Sequence, residues 1–522
     1  MKIKFVIFLI LFQLANIFEM GAQSYWQKNL RTLNPFDHEE FKCIQRLNDG
    51  SIVFGGVRHD FTIVPEIIVT RLDSNGIVLF SKGYATSGTS RIFMNASSLM
   101  KDSVIYFSCF QLDSINGLRN LGILSLNIDG NFNFFKVYKM PEFHFNTHVY
   151  SFTNDSSAIL MTGLTQHFDK DSNLGFVLKV DLYGNLQYAA VTDTNVLCTG
   201  IISYSDNSCL ITATLREEDS LQYYGSCAFI RIDSNFTITQ TKIIKANGKY
   251  IAPLASTKLK DNGVALTGSY RNLGVNDSEP FILKVDSALN PVFFRYFNIP
   301  TQYYGDNIIE TNDNGFVVWA TLMLIKTDST GNYQFSKRYI NQSGQTQISS
   351  LFQDKNDQWH MAGFSGLWGT GDAYYIKTDA NYNSGCWQQD YVHTEALVSV
   401  YDTNFNFQLY PLQLNTDSLQ LAASNIILKD TNWCINYTDI VEKNDVKDMV
   451  NPNPFSEIVI IEVQEHSILY IFNLNGQQVL EKEITVGKNI LGTDYLPEGG
   501  YLFLIRNATG VNYLTYKLIK IK

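Results

Sequence analysis

Residues 327–339 read Thr-Asp-Ser-Thr-Gly-Asn-Tyr-Gln-Phe-Ser-Lys-Arg-Tyr. Asp328 ends an apolar run, Ser-Thr-Gly-Asn supplies a turn, and a second extended run follows with an aromatic residue and a lysine two places on, Phe335 and Lys337. Aspartate and asparagine bond to their own following backbone, and glycine takes the positive φ of a tight reversal. The stretch predicts strand, turn, strand. Its strand-ending residue recurs as Asp73, Asn127, Asp181, Asp233, Asp286, Asp328 and Asp379, at steps of 54, 54, 52, 53, 42 and 51 residues. Upstream lies a second turn, as at Asn48-Asp49-Gly50 and Asn312-Asp313-Asn314-Gly315. An apolar run follows it and often ends in a small residue, as at Gly55-Gly56, Gly268 and Gly363. Periods of roughly 40–50 residues suit propeller blades of four strands. The expected fold class is all-β, with a seven-bladed β-propeller over residues 23–388.

A cation stands two residues before most of the strand-ending positions: Arg71, Lys179, Arg231, Lys284, Lys326 and Lys377. Alternate strand residues share a face, so cation and carboxylate are expected to pair and set the register of the turn. At the N-terminus, Tyr25-Trp26-Gln27-Lys28 repeats the aromatic-x-lysine pattern of Phe80/Lys82 and Phe134/Lys136, 54 residues before Phe80. The last unit has Cys386 at that place, then Trp387 and the polar Gln388-Gln389-Asp390. Residues 25–30 are therefore expected to supply the missing strand and pair with the one ending near Asp379. Such closure removes sheet edges that would template aggregation. The connections between second and third strands differ, being long at 167–173, 217–225 and 271–279 and tight at 319–326. They are the expected variable rim.

Residues 1–22 read as a secretory signal peptide: Lys2 and Lys4, the apolar run Phe5–Leu14, then small residues at Gly21-Ala22. No later stretch is long and apolar enough to span a membrane. Residues 389–447 break the period and read as a β-rich spacer, followed by a C-terminal domain over 448–522. The formal charge of −10 over 522 residues opposes nucleic-acid binding, which needs a basic face. Abundant Tyr and Phe with few prolines favour ordered β structure over disorder.

The last stretch carries ordered motifs: Pro452-Asn453-Pro454-Phe455, then Leu474-Asn475-Gly476, then Leu496-Pro497-Glu498-Gly499-Gly500-Tyr501, and finally Lys517-Leu518-Ile519-Lys520. Together they resemble the type A C-terminal sorting domain of type IX secretion substrates. Val450 departs from the family, which often has an aromatic residue before Pro-Asn-Pro. Alternating strands with Asn-Gly and Gly-Gly turns make the segment a small β-sandwich. The resemblance implies a Bacteroidetes-type bacterium, Sec export, passage through the type IX machinery as a partner, and delivery to the cell surface or beyond.

No catalytic or cofactor motif stands out. There is no Gly-x-Ser-x-Gly, phosphate loop or His-Glu-x-x-His. The Asp-Gly-Asn turns lack the bidentate glutamate of a calcium loop. Without a Cys-x-x-Cys pair, no zinc site is expected. Cys43, Cys109, Cys209 and Cys227 sit in apolar strands as small hydrophobes. Cys386 and Cys434, each beside a tryptophan, are the expected disulfide if their Cα atoms come within about 7 Å. His144 and His148 precede an inner strand and could line the channel, though ordinary core or surface roles explain them. Glu217/Glu218 read as solvated loop residues. Two function classes remain: a secreted or surface-attached binding or adhesion propeller with an unknown glycan or protein ligand, and a propeller hydrolase or lyase acting on extracellular polymers. Fold does not choose between them, and the lack of a recognisable catalytic set favours the first.

Overall fold

The structure, a computed structural model, describes residues 26–32, 37–59, 65–86, 90–113, 117–140, 143–153, 155–167, 173–219, 222–272, 277–299, 303–340, 346–366, 371–385, 388–432, 449–451, 455–463, 466–473, 477–507 and 513–521. All regular secondary structure in these residues is β. Residues 23–435 form one compact unit; the C-terminal segment from 436 belongs to another.

In the first unit, consecutive strands pair antiparallel in fours. The first sheet takes His38–Arg46 as inner strand, then Ile52–His59, Glu66–Leu72 and Val78–Thr86. The pattern repeats along the chain. One strand, Leu186–Ser203, serves twice. Its first half is the outer strand of one sheet and its second half the inner strand of the next. Inner strands touch in cyclic order, and Thr346–Gln353 of the last sheet meets His38–Arg46 of the first. The hydrophobic clusters lie between neighbouring sheets. One joins Phe107, Leu124 and Phe135 to Val53 and Val69, and another joins Tyr375 and Ala373 to Phe41 and Phe54 across the junction of last and first sheets. This face-to-face packing is a propeller architecture.

The repeated turn has one construction. Each strand-ending residue accepts backbone N–H bonds from positions two and four residues on, as Asp73 does from Asn75 and Ile77 at 2.9 and 2.8 Å. Asn127 does the same, so losing the charge leaves the turn intact. The residue three places on has positive φ at every turn. Glycine holds it four times, at 76, 130, 184 and 331; Phe236, Leu289 and Tyr382 hold it elsewhere. Packing offsets the strain of those side chains: Phe236 stacks on Tyr188 at 3.9 Å, and Leu289 and Tyr382 are buried.

Among the described residues, Arg71, Lys284 and Lys326 pair elsewhere than with the strand-ending aspartates, contrary to expectation. Arg71 reaches Asp49 at 2.6 Å, Lys284 reaches Asp261 at 2.8 Å and Lys326 reaches Asp313 at 2.9 Å. These partners belong to the first turn of the same sheet. The strand-ending carboxylates are occupied by their own backbone, which leaves the cations to bind the neighbouring turn. The outer-strand lysines also find a role: they bind the turn of the following sheet. Lys82 donates to the carbonyl of Gly130 at 3.1 Å, Lys337 to Asn383 at 3.2 Å and Lys242 to Asn290 at 2.9 Å. Tyr84 and Tyr138 add bonds to Gly130 and Gly184.

Each inner strand carries a β-bulge. The bulge bends its backbone towards the second strand, which explains the small residues there. A methyl carbon added at Gly56, Gly268 or Gly363 would lie 2.1, 2.0 or 1.8 Å from the carbonyl oxygen of Glu40, Ala252 or Gln347.

Trp26–Thr32 pairs with Asp372–Lys377 in the register Trp26↔Lys377 to Leu30↔Ala373. Its Lys28 donates to Gly76 of the first sheet at 2.8 Å, the bond its repeat position requires. Residues 388–432 are not a separate spacer. They form short strands laid on the outer edges of the sheets in reverse order. Gln388–Tyr391 pairs with Tyr333–Tyr339, Thr394–Leu397 with Pro291–Asn298, and Tyr401–Thr403 with Ile238–Lys245. Leu409–Pro411 then pairs with Leu186–Ser203, Asn415–Leu419 with Phe132–Lys139, and Leu421–Asn425 with Val78–Thr86. Leu428–Asn432 ends this belt on Trp26–Thr32. The place of an outer strand after Asp379 is already taken by the N-terminal strand, so the chain crosses to the neighbouring edge.

In the C-terminal unit, Met449–Asn451, Ile458–Val463 and Gly487–Gly492 form one sheet. Ser467–Asn473, Gln478–Ile484, Gly499–Asn507 and Tyr513–Lys520 form another. Phe455, Val459 and Ile461 share one core with Leu469, Phe503 and Leu518.

Candidate functional site

The two faces of the propeller differ. One carries the repeated turns. The other carries the connections from second to third strand and from each sheet to the next. At its junction between last and first sheets lies a buried ionic seam. Its seed is Asp37-His38-Glu39-Glu40, where the inner strand opens on ionisable residues; the next sheet's inner strand opens on Arg91-Ile92-Phe93. Thr32 binds Asp37 through its hydroxyl at 2.6 Å and Glu39 Oε1 through its N–H at 3.1 Å. His38 Nδ1 accepts the N–H of Gly371 at 2.9 Å, and its ring lies 4.8 Å from that of His59. Arg58 pairs with Glu66 at 2.5 Å, and Asn29 donates to Asp372 at 3.0 Å. Lys42 pairs with Glu40 at 2.5 Å.

Burial governs the charge states. Desolvation, with His59 beside it, lowers His38 to about 4, so the ring is neutral and Nδ1 is free to accept. Desolvation raises Glu39 to about 7 against the bonds from Thr32. Glu66 and Asp372 are raised for the same reason. Glu39 is fully buried, and its Oε2 has no hydrogen-bond partner. Away from the seam, Asp306, pushed to about 7 by burial, accepts the N–H of Thr321 at 3.1 Å on the sixth sheet. Glu39 is closed to a polymeric substrate, and the bonds of the seam join the N-terminal strand, the first sheet and the last sheet. Among the described residues no cluster of His, Cys, Asp and Glu is arranged to hold a metal ion.

The residues singled out from sequence fall as follows. Cys386, Cys434, Pro452, Asn453, Pro454 and Gly476 lie outside the described residues. Gly499 has φ of +152°, and Tyr501 is buried with its hydroxyl on the carbonyl of Pro497 at 2.8 Å. Lys517 pairs with Leu502 across the last hairpin. Cys43, Cys109, Cys198, Cys209 and Cys227 are buried free thiols. Burial pushes Cys43 and Cys198 to about 12, as for inert core residues. His144 accepts the N–H of Arg119 at 3.2 Å. Glu217 and Glu218 are not loop residues: they pair with Tyr224 and Tyr223 in an extended hairpin. The seam escaped the sequence reading, although four consecutive ionisable residues at a strand start were a visible anomaly.

Residues 449–521 match the family described as secretion system C-terminal sorting domain. No curated protein matches the chain. Among solved structures it is similar to PorZ, a surface component of the type IX secretion system of Porphyromonas gingivalis. That likeness has 9% identity and a TM-score of 0.28, covering 92% of this chain and 81% of that one. It is also similar to the Dos1 propeller at 10% identity and a TM-score of 0.40, covering 68% and 96%. A third likeness is to an exo-β-1,3-galactanase of Phanerochaete chrysosporium at 10% identity and a TM-score of 0.32, covering 81% and 94%. These are remote likenesses, and the fold rests on the strand pairing above. The sorting domain marks the chain as a substrate of type IX secretion, exported to the cell surface or the extracellular space.

Proposed function

We propose that the mature protein is a seven-bladed binding propeller that engages an extracellular glycan or protein through its loop face and performs no chemistry. The domain division we favour is a leader over 1–22, a propeller with its belt over 23–432, and a sorting domain, built as a small sandwich, over 449–521. Seven strand-ending turns, the cyclic contacts of the inner strands and the pairing of Trp26–Thr32 with the last sheet support the blade count.

One observation carries the binding reading. On the turn face every strand-ending turn is built on the same hydrogen bonds, and the first turns span five residues except at 102–103. On the opposite face the connections between second and third strands run from two residues, at 220–221 and 321–322, to six, at 60–65, 113–118, 273–278 and 366–371. Variation in length falls chiefly on the face that fold and stability leave free. Replacing residues 273–277 and 366–370, which leaves Ser278 and the seam residue Gly371 in place, by the Thr321-Leu322 pair tests this. Binding to glycan arrays or cell-surface proteins is expected to fall at least tenfold with the melting temperature retained. Unchanged binding moves the site off this face. Turnover of any polymer by the purified protein overturns the non-enzyme reading in favour of a hydrolase or lyase.

Deleting residues 449–522 is expected to leave the propeller folded in the periplasm and absent from the surface. Fractionation with antibody to the propeller checks this, and surface display of the truncated chain would show a second export signal.

A further inference from the structure

In the other described sheets, a short turn ties the outer strand to the third strand. Trp26–Thr32 has no such tether: it pairs with Asp372–Lys377 from the far end of the propeller sequence. Joining strands so distant in sequence carries a larger loop-closure cost than closing a hairpin, so this sheet is where an outer strand is most readily lost. The belt runs backwards past every other sheet and ends on the free edge of this strand. Its register runs from Lys28↔Asn432 to Thr32↔Leu428. Lys28, Asn29 and Leu30 are thus paired on both sides. Leu428 also packs against the cluster that holds Trp26 and Leu30.

We propose that Leu428–Asn432 is a latch that holds the N-terminal strand in the last sheet, so that the ring is completed only when the chain has been laid down to Asn432. The sorting-domain match begins at residue 449. Closure and export signal therefore lie next to each other in chain order. A chain that stops short of Asn432 therefore has neither the latch nor the signal for the outer-membrane step. The inference stands on strand pairing alone and is independent of what the loop face binds.

The test uses the full mature chain. Proline lacks the N–H that a ladder needs, and one of any two adjacent strand residues points its N–H at the partner. Lys429→Pro with Asp430→Pro therefore breaks the latch. Thr416→Pro with Asp417→Pro breaks an equivalent belt strand on the second sheet and serves as control. The readout is hydrogen exchange at Ala373–Ile376, which pair with the side of the N-terminal strand away from the latch. Exchange there is expected to quicken at least tenfold in the latch variant and to stay at the wild-type rate in the control. Unfolding of the whole ring by the latch pair, with the control folded, also supports the latch. A rate at 373–376 no faster than in the control overturns it.

Discussion

Gly363→Ala is expected to destabilise the propeller by about 3 kcal/mol or more, towards the upper end of overpacking substitutions. The added carbon would lie 1.8 Å from the carbonyl oxygen of Gln347 and 2.8 Å from its carbonyl carbon. Neither is the end of a flexible side chain that could swing away. Relief requires moving the inner strand, whose bulge between Ile348 and Ser350 brings that carbonyl onto the glycine. Backbone φ is not at issue, so the whole effect is steric. Gly492→Ala, where nothing lies within 4 Å of the added carbon, is the matched substitution and should change its own unit by less than about 0.5 kcal/mol. Urea unfolding of both variants measures the contrast. A Gly363→Ala loss below about 1 kcal/mol would mean that the inner strand yields freely and that the bulge does not determine the small residue.

Glu39→Gln should stabilise the protein at pH 8 and do little at pH 5. Glu39, raised from 4.5 to about 7, keeps in the native state a proton that the unfolded chain has released. Native stability therefore falls as pH rises from about 4.5 to about 7 and stays lower above that window. The displacement corresponds to about 3 kcal/mol at pH 8 and under about 1 kcal/mol at pH 5. His38, lowered to about 4, works in the opposite sense, its contribution rising with pH between about 4 and 6.5. Glu66 and Asp372 work in the same sense as Glu39. The difference between wild type and variant isolates the one carboxyl. Glutamine keeps an acceptor for the Thr32 N–H. Denaturation at the two pH values checks the prediction. An effect equal at both would show that Glu39 does not ionise across this range.

The residues that announce the repeat are those whose chemistry is local. An aspartate at the end of a strand bonds to backbone two and four residues on, whatever surrounds it, so Asp73 and Asp328 are readable from their neighbours alone. Trp26 and Lys28 were readable for the same reason: they carry the outer-strand pattern at the right interval, and their bonds follow from it. The sorting motifs are local in the same way, since Gly499 and Tyr501 serve one turn and its carbonyl. At Phe236, Leu289 and Tyr382 the local signal fails, because packing across sheets offsets a backbone conformation that favours glycine.

By itself the sequence determined the repeat, the strand that closes it, the turn chemistry and the export route, because each depends on residues close in the chain or on an ordered motif. Tertiary structure alone decided the belt. Its strands run from three to five residues and leave much of their surface in solvent, as the exposed Tyr401–Thr403 does, so no hydrophobic period marks them. Structure also decided the partners of Arg71, Lys284 and Lys326, each in a turn roughly one hairpin away, and the ionic seam, which gathers residues 29, 37–40, 58, 66 and 372. A hydrogen bond between residues hundreds of positions apart leaves no trace in either neighbourhood, and burial, which sets the charge of Glu39 and His38, exists only once the sheets have met.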